Sequence, residues 1–409
     1  MKEEDKGLKD GSGREAVYLL EYEKQKMQEY AGSLNSLAAI FLRKCTAESE
    51  GDRRSLLWEK RREEDRQLFG SQLRQMAEVI ERSASESVRI IRLGKRREKK
   101  IARMLLLEGL AADDLYLLEK EDGRRAVVIT LSLRFPKAGK RICSDEEIAG
   151  YLSVLMKMNL VPCGKPPFFV GQTKQTMSFY EENRYCVLSG FAKAVKEGEK
   201  IAGDNHGFFE TTEGDFYAVL SDGMGSGEKA YRDSRQIIEW IENFVTGGVS
   251  SATALRLIND ALIMGGENKN MSTVDLCRIN LHNATAEFIK VGAAATFLKH
   301  AEGVEEIQGS GLPLGIFTRP ELFHVKRRIA DGDYIFLFSD GITDCFAGAQ
   351  GKEKLKKMLA DIPYRSPAQM ANYIMEATIR ISNGKIRDDC TVLVIGVWEN
   401  EKGYDRIHT

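Results

Sequence analysis

The sequence lacks any run of about 18 consecutive apolar residues, the length that a membrane-spanning helix requires. It also lacks a signal peptide, because its first ten residues, MKEEDKGLKD, are charged and contain no apolar core. We therefore expect no membrane span in this chain and a cytoplasmic location, although a longer parent protein could be anchored in a membrane.

Cysteine pairs with metal-binding spacing are also missing. The seven cysteines stand apart at positions 45, 143, 163, 186, 277, 345 and 390, and their number is odd. This pattern argues against a zinc site and against a disulfide framework, and it indicates reduced thiols of the kind found in cytosolic proteins.

An excess of one charge sign is absent as well. Lys and Arg number 60 and Asp and Glu number 61, so the net charge of −1 gives no general reason to expect nucleic-acid or membrane binding. The basic run RLGKRREKK at 92–100 is the local exception. A solvated helix that pairs with nearby acidic residues is favoured there over a nucleic-acid or anionic-lipid patch. We expect no salt-sensitive binding to DNA or to anionic vesicles.

Proline is missing between residues 14 and 108, a region dense in Leu, Glu, Lys and Arg. Apolar residues recur there in alternate steps of four and three, the spacing that keeps one helix seam facing a partner helix. We expect 1–108 to be a helical regulatory or dimerisation region, broken near SEGDRR at 49–54, whose seam pairs with a second chain in a homodimer or closes on itself as a helical hairpin. An amphipathic helix packed on its own domain is the alternative. The first seam comprises Leu20, Lys24, Met27, Ala31, Leu34, Ala38, Phe41 and Cys45, and the second comprises Phe69, Leu73, Met76, Ile80, Ser83, Ser87 and Ile90.

Residues 109–172 predict a small α+β unit. The segment DDLYLLEKEDGRRAVVITLSLRF is typical of a strand, a turn and a second strand. Ser144 and Glu147 have the spacing of a capping box ahead of an amphipathic helix, which VPCGKPPFF at 161–169 ends. Nothing in this unit has a catalytic pattern, so we interpret it as a regulatory unit.

From about residue 180 onward, short apolar segments are interspersed with long helical runs. Separate groups of strands and helices favour an α+β fold in which helices cover antiparallel sheets. We expect this domain at 173–400, followed by a tail at 401–409. The predicted strands include RYCVLSGFAKAV, GDFYAVLS, VDLCRINL, AEFIKVGAAATFLKH, DYIFLFS and CTVLVIGVW, and the predicted helices lie at about 227–246, 250–264, 353–360 and 367–382.

Acidic residues stand at the ends of the apolar segments. Asp222 and Asp340 each follow a strand in a Ser-Asp-Gly motif, and Asp388 and Asp389 precede the strand CTVLVIGVW. Asp204, in AGDNH, is a fifth acidic residue of this set. If these strands are neighbours, their carboxylates converge, and a divalent cation would offset the repulsion between them. Oxygen-only ligation selects Mg²⁺ or Mn²⁺ over Zn²⁺.

Glycine occupies alternate positions after Asp222, in DGMGSG. We expect Gly223 to allow a sharp turn, since glycine tolerates both a positive φ angle and close approach, so that a backbone carbonyl faces the ion beside the carboxylate. A nucleotide-phosphate loop is the alternative. That loop needs Lys and then Ser or Thr after its last glycine, whereas Gly227 precedes Glu228 and Lys229. We therefore interpret the turn as part of a metal site.

Seven motifs occur in a recognisable order over about 210 residues, roughly 185 to 397: AGDNH, YAVLSDGMGSGEKA, MSTVDL, IKVGAAATFLK, GLPLGI, DYIFLFSDGITD and RDDCTVLVI. In this order they resemble the metal-dependent serine/threonine phosphatases of the PPM, or protein phosphatase 2C-like, superfamily. The resemblance is greatest to the bacterial branch that contains stage II sporulation protein E. The upstream helical and α+β segments resemble the cytoplasmic regulatory region of that branch more loosely.

The resemblance implies a β-sandwich of two antiparallel sheets flanked by helix pairs, with two Mn²⁺ or Mg²⁺ ions at one end. Asp222 would bridge the ions and Asp204 would hold a metal-bound water. Asp389 stands where many relatives have Asn, so either Asp388 or Asp389 is the primary ligand; Cys390 is interpreted as a core residue. The implied metal-site residues are Asp204, Asp222, Gly223, Asp340, Asp388 and Asp389, of which Asp222, Asp340 and Asp388 carry the catalysis.

The function implied by the resemblance is removal of phosphate from a phosphoserine regulatory protein, an anti-anti-sigma factor in sporulation control. Two ions would orient and activate a water for in-line attack on phosphorus. A metal-bound water is the favoured proton donor, and His206 is a minor candidate whose alternative is a surface histidine beside a turn. The motifs supply no arginine for the phosphate. The rival class is a catalytically inactive phosphatase-like scaffold. A nucleotidyl cyclase is disfavoured, because no nucleotide-binding pattern is present.

The helical segment ahead of the catalytic motifs suggests regulation. A rotation of the helix pair at 227–246 and 250–264 would move the Gly223 carbonyl, and Mg²⁺ demands near-ideal geometry. The resemblance implies that this pair acts as a switch, set by the regulatory region and a dimer partner. We therefore expect residues 1–172 to bias the occupancy of the metal site.

Overall fold

The computed structural model describes most of the chain in separate stretches. These are residues 27–42 without 29 and 40, 53–85, 89–91, 93–120, 123–134, 143–163, 169–211, 214–225, 227–264, 271–363 and 365–400. The first-seam residues Leu20, Lys24 and Cys45, the second-seam residue Ser87 and the tail at 401–409 lie outside them. No helix within these stretches is long and apolar enough to cross a membrane.

The chain divides into two compact units. The first contains residues 73–182 and those before 45, and the second contains residues 45–72 and 183–400. The sequence predicts the domain boundary at 172/173, whereas the first unit of the structure extends to Glu182. The reason is that strand Gln175–Glu181 pairs with strand Arg125–Leu133 of the first unit.

The first unit is an antiparallel sheet with two helices packed against it. Its five-stranded sheet has the order β1-β2-β3-β7-β5, and β4 pairs with β6 in a small second sheet. Its elements are α1 (helical residues within 27–42), β1 (Arg89–Ile91), α3 (Lys95–Leu107), β2 (Leu110–Glu119), β3 (Arg125–Leu133), β4 (Cys143–Ser144), α4 (Asp145–Met156), β5 (Leu160–Pro162), β6 (Phe169–Val170) and β7 (Gln175–Glu181); α2 (Arg53–Ser85) contributes residues to both units.

Apolar alternation along β3 builds the core of this unit, as the sequence predicts. Val127, Ile129 and Leu131 are fully buried and share one cluster with residues of α3 and α4. The predicted capping box is confirmed, because the Ser144 hydroxyl accepts a hydrogen bond from the Glu147 N–H at 3.2 Å and the Glu147 carboxylate accepts one from the Ser144 N–H. Both features depend on residues close together in the sequence, which is why the sequence predicts them.

The predicted basic helix is amphipathic. Ile101 and Leu105 of α3 are buried in the core of the first unit, and the Arg97 guanidinium donates a hydrogen bond to the Met156 carbonyl at 3.1 Å. The remaining Lys and Arg side chains described in α3 are exposed or half-buried. The absence of DNA and vesicle binding stays a prediction.

Both predicted seams are only partly buried. In α1, Ala31 and Ala38 are fully buried, whereas Met27 is 39% exposed. In α2, Phe69 and Met76 are 42% and 48% exposed, whereas the neighbouring Ala77 is fully buried. The second seam also ends before Ile90, because Ile90 lies in strand β1 and pairs with Leu118 of β2. Dimerisation through either seam stays a prediction.

The second unit contains two five-stranded antiparallel sheets. Their strand orders are β15-β12-β11-β10-β9 and β14-β13-β16-β17-β8. Its elements are β8 (Tyr185–Ala194), β9 (Asp204–Glu210), β10 (Asp215–Asp222), α5 (Gly227–Thr246), α6 (Ser251–Met264), β11 (Val274–Asn280), β12 (Thr285–Val291), β13 (Thr296–His300), β14 (Gly303–Ile307), β15 (Phe323–Arg328), β16 (Tyr334–Phe338), α7 (Asp340–Cys345), α8 (Ala349–Ala360), α9 (Pro367–Ile381) and β17 (Cys390–Glu399).

Three apolar cores stack through this unit. The middle core joins the inner faces of the two sheets, with Leu220 of β10 and Leu393 of β17 as members. The outer face of the first sheet packs against α5 and α6, and the outer face of the second packs against α7, α8 and α9. Cys390 is buried in the latter core, which confirms its interpretation as a core residue. The layered α+β fold predicted from the sequence is confirmed.

One predicted strand is wrong in its extent. The segment AEFIKVGAAATFLKH contains two strands, β12 and β13, which lie in different sheets and are separated by residues 292–295. Gly292 makes the break with a φ of 64°, and a Cβ there would lie 2.8 Å from the Pro313 nitrogen. A continuous apolar pattern concealed this turn, because both strands are buried.

Candidate active site

The first Ser-Asp-Gly motif ends β10, and its serine fixes that strand end. Ser221 is fully buried, and its hydroxyl lies 2.8 Å from Ser272 Oγ and donates to the Thr273 carbonyl at 2.9 Å. The Ser272 hydroxyl donates to the Asp222 carbonyl at 2.6 Å. The backbone of Asp222 is therefore held from the segment that leads into β11.

The second Ser-Asp-Gly motif repeats this arrangement at the end of β16. The Ser339 N–H donates to the Thr391 carbonyl at 3.0 Å, and the Thr391 N–H donates to Ser339 Oγ at 2.8 Å. A Cβ on Gly341 would lie 2.2 Å from the Asp389 carbonyl oxygen, so no larger residue fits there. These contacts hold Asp340 beside the start of β17.

Asp204 faces Asp222 across the β9–β10 ladder, where the two residues are paired. Its side chain is 1% exposed, and neither carboxylate oxygen has a hydrogen-bond partner among the described residues. Burial raises the pKa of Asp204 above its usual range, while the hydroxyls of Thr391 and Ser339 and the charge of Lys193 partly offset this. The two hydroxyls influence the Asp204 carboxylate without reaching hydrogen-bond geometry, so its oxygens are suited to accept a group from outside the chain.

The carboxylates form one electrostatic cluster. Burial is the largest cause that raises the pKa of Asp222, to about 8, and the charges of Asp204, Asp340 and Asp388 add to it. Burial and then Asp388 raise the pKa of Asp340. Repulsion of this kind is what a divalent cation relieves, and the donors are all oxygens, as Mg²⁺ and Mn²⁺ prefer.

The described carboxylates nevertheless do not surround a single position where one ion could bind. Within the stretches that the structure describes, no three Asp, Glu, His or Cys side chains are arranged so that they could hold one ion together. The donor set therefore suits a hard divalent cation, and ligation requires a small approach of the side chains.

The structure separates Asp388 from Asp389. Asp389 is 6% exposed, and its two carboxylate oxygens accept hydrogen bonds from the Lys196 N–H at 2.9 Å and the Gly203 N–H at 2.6 Å. The Asp388 side chain is 58% exposed and lies 3.6 Å from Lys196 Nζ. Asp389 thus ties both ends of the loop between β8 and β9 to the start of β17, while Asp388 is more exposed and its Oδ1 accepts a hydrogen bond from the Asp389 N–H at 3.0 Å.

We expect Asp389→Ala to destabilise the protein by roughly 2–3 kcal/mol, because two backbone N–H groups lose a charged acceptor. Asp388→Ala should change the free energy of unfolding by less than about 0.5 kcal/mol, as is usual for an exposed side chain. Urea unfolding in the presence of a chelator measures both. Equal stability of the two variants would show that Asp389 is not the structural member of the pair.

Gly223 is needed for space rather than for backbone conformation. Its φ is not positive, contrary to the expectation, and the positive φ angles of the turn belong to Gly225 and Gly227, at 108° and 76°. A Cβ on Gly223 would lie 2.3 Å from the Ala230 carbonyl oxygen of α5. The turn after Asp222 is therefore packed directly against the first turns of α5.

His206 is not the surface histidine that the sequence suggests. Alternation along β9 turns it in the same direction as Asp204, and its ring lies 4.0 Å from the Phe191 ring and 5.6 Å from the Phe208 ring. Burial, aided by Lys193, lowers the pKa of His206 to about 4. At neutral pH the imidazole is uncharged, which argues against a role as proton donor.

Sequence reasoning missed several residues around the cluster. Ser272 and Thr273 hold the backbone of Asp222, and Asp275 lines a cleft together with Asp222 and Asp340. This cleft is small, with a volume of about 20 Å³. The motif MSTVDL carried a usable signal, because three polar residues stand at the start of a buried strand.

Two facing antiparallel sheets, helices on both outer faces and carboxylates at one edge define the fold of PP2C-type phosphatase domains. Comparison with known proteins agrees: residues 212–398 match the family model described as Stage II sporulation protein E (SpoIIE). The resemblance predicted from the sequence is therefore confirmed, and this part of the chain has the fold of PP2C-type phosphatase domains.

Individual relatives extend the match beyond this domain. Stage II sporulation protein E of Priestia megaterium is 28% identical over 353 residues, which cover 84% of this chain and 58% of that protein. The phosphoserine phosphatase RsbU of Bacillus subtilis (strain 168) is 21% identical over 201 residues, which cover 48% of this chain and 60% of RsbU. The chain thus spans little more than half the length of the sporulation relative.

A solved structure shows a similar arrangement. The PP2C phosphatase domain of Bacillus subtilis SpoIIE, with a fragment of its regulatory domain, is 26% identical and has a TM-score of 0.58. The alignment covers 84% of this chain and 98% of that structure. The similarity therefore includes residues upstream of the phosphatase fold.

Proposed function

We propose that the chain is a cytoplasmic, metal-dependent protein serine phosphatase that removes phosphate from a phosphoserine regulatory protein, an anti-anti-sigma factor in sporulation control. The observation that carries the proposal is the pairing of buried Asp204 with Asp222 beside Asp340 and Asp388. Oxygen donors in a cluster of raised pKa are suited to divalent cations. The phosphoserine class is supported by the similarity to RsbU, and the sporulation role by the match to the SpoIIE family model.

The residues of this chain would hold two Mn²⁺ or Mg²⁺ ions. Asp222 is central, because the charges of Asp204, Asp340 and Asp388 all act on it. Asp388 is the ligand of the Asp-Asp pair, since both oxygens of Asp389 bind backbone N–H groups. When bound, the ions supply a nucleophilic water at neutral pH and neutralise phosphoryl oxygens.

Lys196 is the cation that we propose to face the substrate phosphate. Its half-exposed ammonium lies 3.6 Å from Asp388, at the edge of the carboxylate cluster. We expect Lys196→Gln to raise KM for a phosphoserine peptide about 10-fold, the worth of one charge-assisted contact, with a smaller change in kcat. The exposed Lys200 in the same loop gives the matched control, Lys200→Gln. An unchanged KM in the Lys196 variant would contradict this role.

The alternative, an inactive phosphatase-like scaffold, is favoured by one observation: the described carboxylates are not arranged to hold an ion. The experiment that separates the two is dephosphorylation of a phosphorylated anti-anti-sigma protein from the same organism, with Mn²⁺ and with chelator. Release of phosphate that depends on Mn²⁺ supports the enzyme. Absence of release, with aryl phosphates also left intact, supports the scaffold.

We propose that α5 and α6 transmit regulation to the cluster. The Ser234 hydroxyl of α5 donates to the Gly203 carbonyl at 2.5 Å, and the Asn205 amide donates to the Tyr231 carbonyl at 2.9 Å. Both contacts flank Asp204. A movement of α5 would therefore shift Asp204 on one side and Gly223 on the other.

The second half of this path runs through α6. The fully buried Asn259 accepts a hydrogen bond from the Gly315 N–H at 3.0 Å and donates one to the Phe317 carbonyl at 2.9 Å. The neighbouring Leu314 bridges to Ser272, which binds the Asp222 carbonyl. The position of α6 is thus connected to the backbone of a proposed metal ligand.

Residues ahead of the phosphatase fold contact α6 within the second unit. Ser71 Oγ of α2 lies 3.5 Å from Asp260 Oδ2 of α6. We expect Ser71→Glu to change the Mn²⁺ concentration for half-maximal activity by about threefold or more, because a second carboxylate would repel Asp260. Ser71→Ala is the control. Identical Mn²⁺ dependence in both variants and in the parent chain would show that α2 acts as a tether.

A further inference from the structure

A buried triad of Asp275, Lys290 and Thr296 lies beside the proposed metal cluster. All three side chains are at most 1% exposed. Lys290 Nζ donates to Asp275 Oδ2, Thr296 Oγ1 donates to the same oxygen at 2.5 Å, and Lys290 Nζ lies 2.7 Å from Thr296 Oγ1. These contacts fix the Asp275 carboxylate in one orientation and occupy one of its oxygens.

The second carboxylate oxygen of Asp275 takes no part in the triad. Oδ1 is buried and has no hydrogen-bond partner among the described residues. Asp275 lines the cleft that Asp222 and Asp340 also line. A buried carboxylate oxygen is unfavourable unless it accepts a hydrogen bond, so its partner must come from the cleft.

Strand register places Asp275 within reach of a hydrated ion. Asp275 is paired with Leu220 across the β10–β11 ladder, and Asp222 lies two residues further along β10 on the same face. Diagonal neighbours of this kind are roughly 7–8 Å apart between Cα atoms. That separation leaves room for one water between an ion at Asp222 and the Asp275 carboxylate.

The positive charge of Lys290 explains how a carboxylate is accommodated at this buried position beside the cluster. Lys290 neutralises Asp275, so the carboxylate adds no net negative charge to the cluster of Asp204, Asp222 and Asp340. A buried ion pair is weak evidence for stability, because apolar residues of similar volume often replace such pairs without loss. Stability alone therefore does not explain why the triad is charged and polar.

We propose that Asp275 is a positioning residue whose Oδ1 accepts a hydrogen bond from a water in the hydration shell of the cation held by Asp222 and Asp340. Lys290 and Thr296 hold the carboxylate in place for that bond. The inference rests on the proposed function, since it needs a cation at the cluster. Outer-shell acceptors of this kind typically change metal affinity by about 10- to 100-fold when removed.

Mn²⁺ binding to the full chain, measured by isothermal titration calorimetry, tests the proposal without reliance on activity. Asp275→Asn keeps the size of the side chain but weakens its acceptor and adds a donor, and we expect the dissociation constant for Mn²⁺ to rise about 10-fold or more. The matched control is Asp215→Asn. Asp215 lies on the adjacent strand β10, forms a comparable ion pair with Arg278 at 2.7 Å, and is not among the residues that line the cleft.

Folding is controlled with a second variant. Asp275→Asn alone leaves the Lys290 charge uncompensated, so the double variant Asp275→Asn with Lys290→Gln is measured beside it, and both should lose Mn²⁺ affinity. Unchanged affinity in a folded double variant would overturn the role of Asp275. Asp222→Asn separates this failure from failure of the proposed function: if that variant also binds Mn²⁺ normally, the cluster is not the metal site at all.

Discussion

Asp222→Asn should lower the rate of phosphoserine hydrolysis by about 10³-fold or more, which corresponds to roughly 4 kcal/mol in the activation free energy. Asp222 is the residue on which the charges of Asp204, Asp340 and Asp388 converge. Asparagine removes one negative charge and one ligand oxygen while it keeps the shape of the side chain. Because the proposed mechanism depends on the cation-activated water, loss of this ligand removes the nucleophile.

Single-turnover kinetics with a phosphoserine peptide at saturating Mn²⁺ measure this effect. Asp215→Asn is again the matched control, because Asp215 lies at the opposite end of the same strand and its partner is Arg278. The control should retain most of its activity. A rate for Asp222→Asn within tenfold of that of the parent chain would contradict a catalytic role for Asp222.

The chelated protein should become less stable as the pH rises from 6.5 to about 8. The pKa of Asp222 is raised in the folded protein to about 8, so the folded state holds a proton there that the unfolded chain has already released. Stability falls with pH wherever the folded state binds more protons. The buried His206 has the opposite effect, because its pKa is lowered to about 4, and as the unfolded histidine loses its remaining proton above pH 6.5 it offsets a small part of this loss.

Thermal unfolding with excess chelator at pH 6.5 and 8 measures this difference. We expect a loss of about 1–2 kcal/mol for the parent chain, less than the full slope of one proton because neighbouring carboxylates share the titration. Asp222→Asn should remove most of the loss and be more stable than the parent chain at pH 8. Added Mn²⁺ should stabilise the parent chain most at the higher pH. A parent chain whose stability is flat or rising over this range would contradict the raised pKa.

Local signals made much of the fold predictable. The hairpin of β2 and β3, the capping box at Ser144 and the helices α5, α6 and α9 depend on residues close together in the sequence. The acidic motifs at Asp222, Asp340 and Asp388 were also readable, because each carboxylate adjoins a strand or a turn that its neighbours define.

The remaining features depend on contacts that sequence spacing does not contain. Lys290 follows Asp275 by fifteen positions, and Thr296 lies in the other sheet, so their triad exists only after the strands have paired. The steric reason for Gly223 lies in its contact with Ala230 of α5, which a positive-φ argument does not reveal. The pattern of buried strands likewise concealed the turn at Gly292.

The most direct test of a metal-dependent phosphatase is a Mn²⁺ titration of aryl phosphate hydrolysis by the full chain, first stripped with a chelator. The account predicts no measurable turnover in the stripped protein, recovery as Mn²⁺ is added, and no recovery in Asp222→Asn at any Mn²⁺ concentration. Full turnover after stripping, or equal recovery in the Asp222 variant, would contradict it.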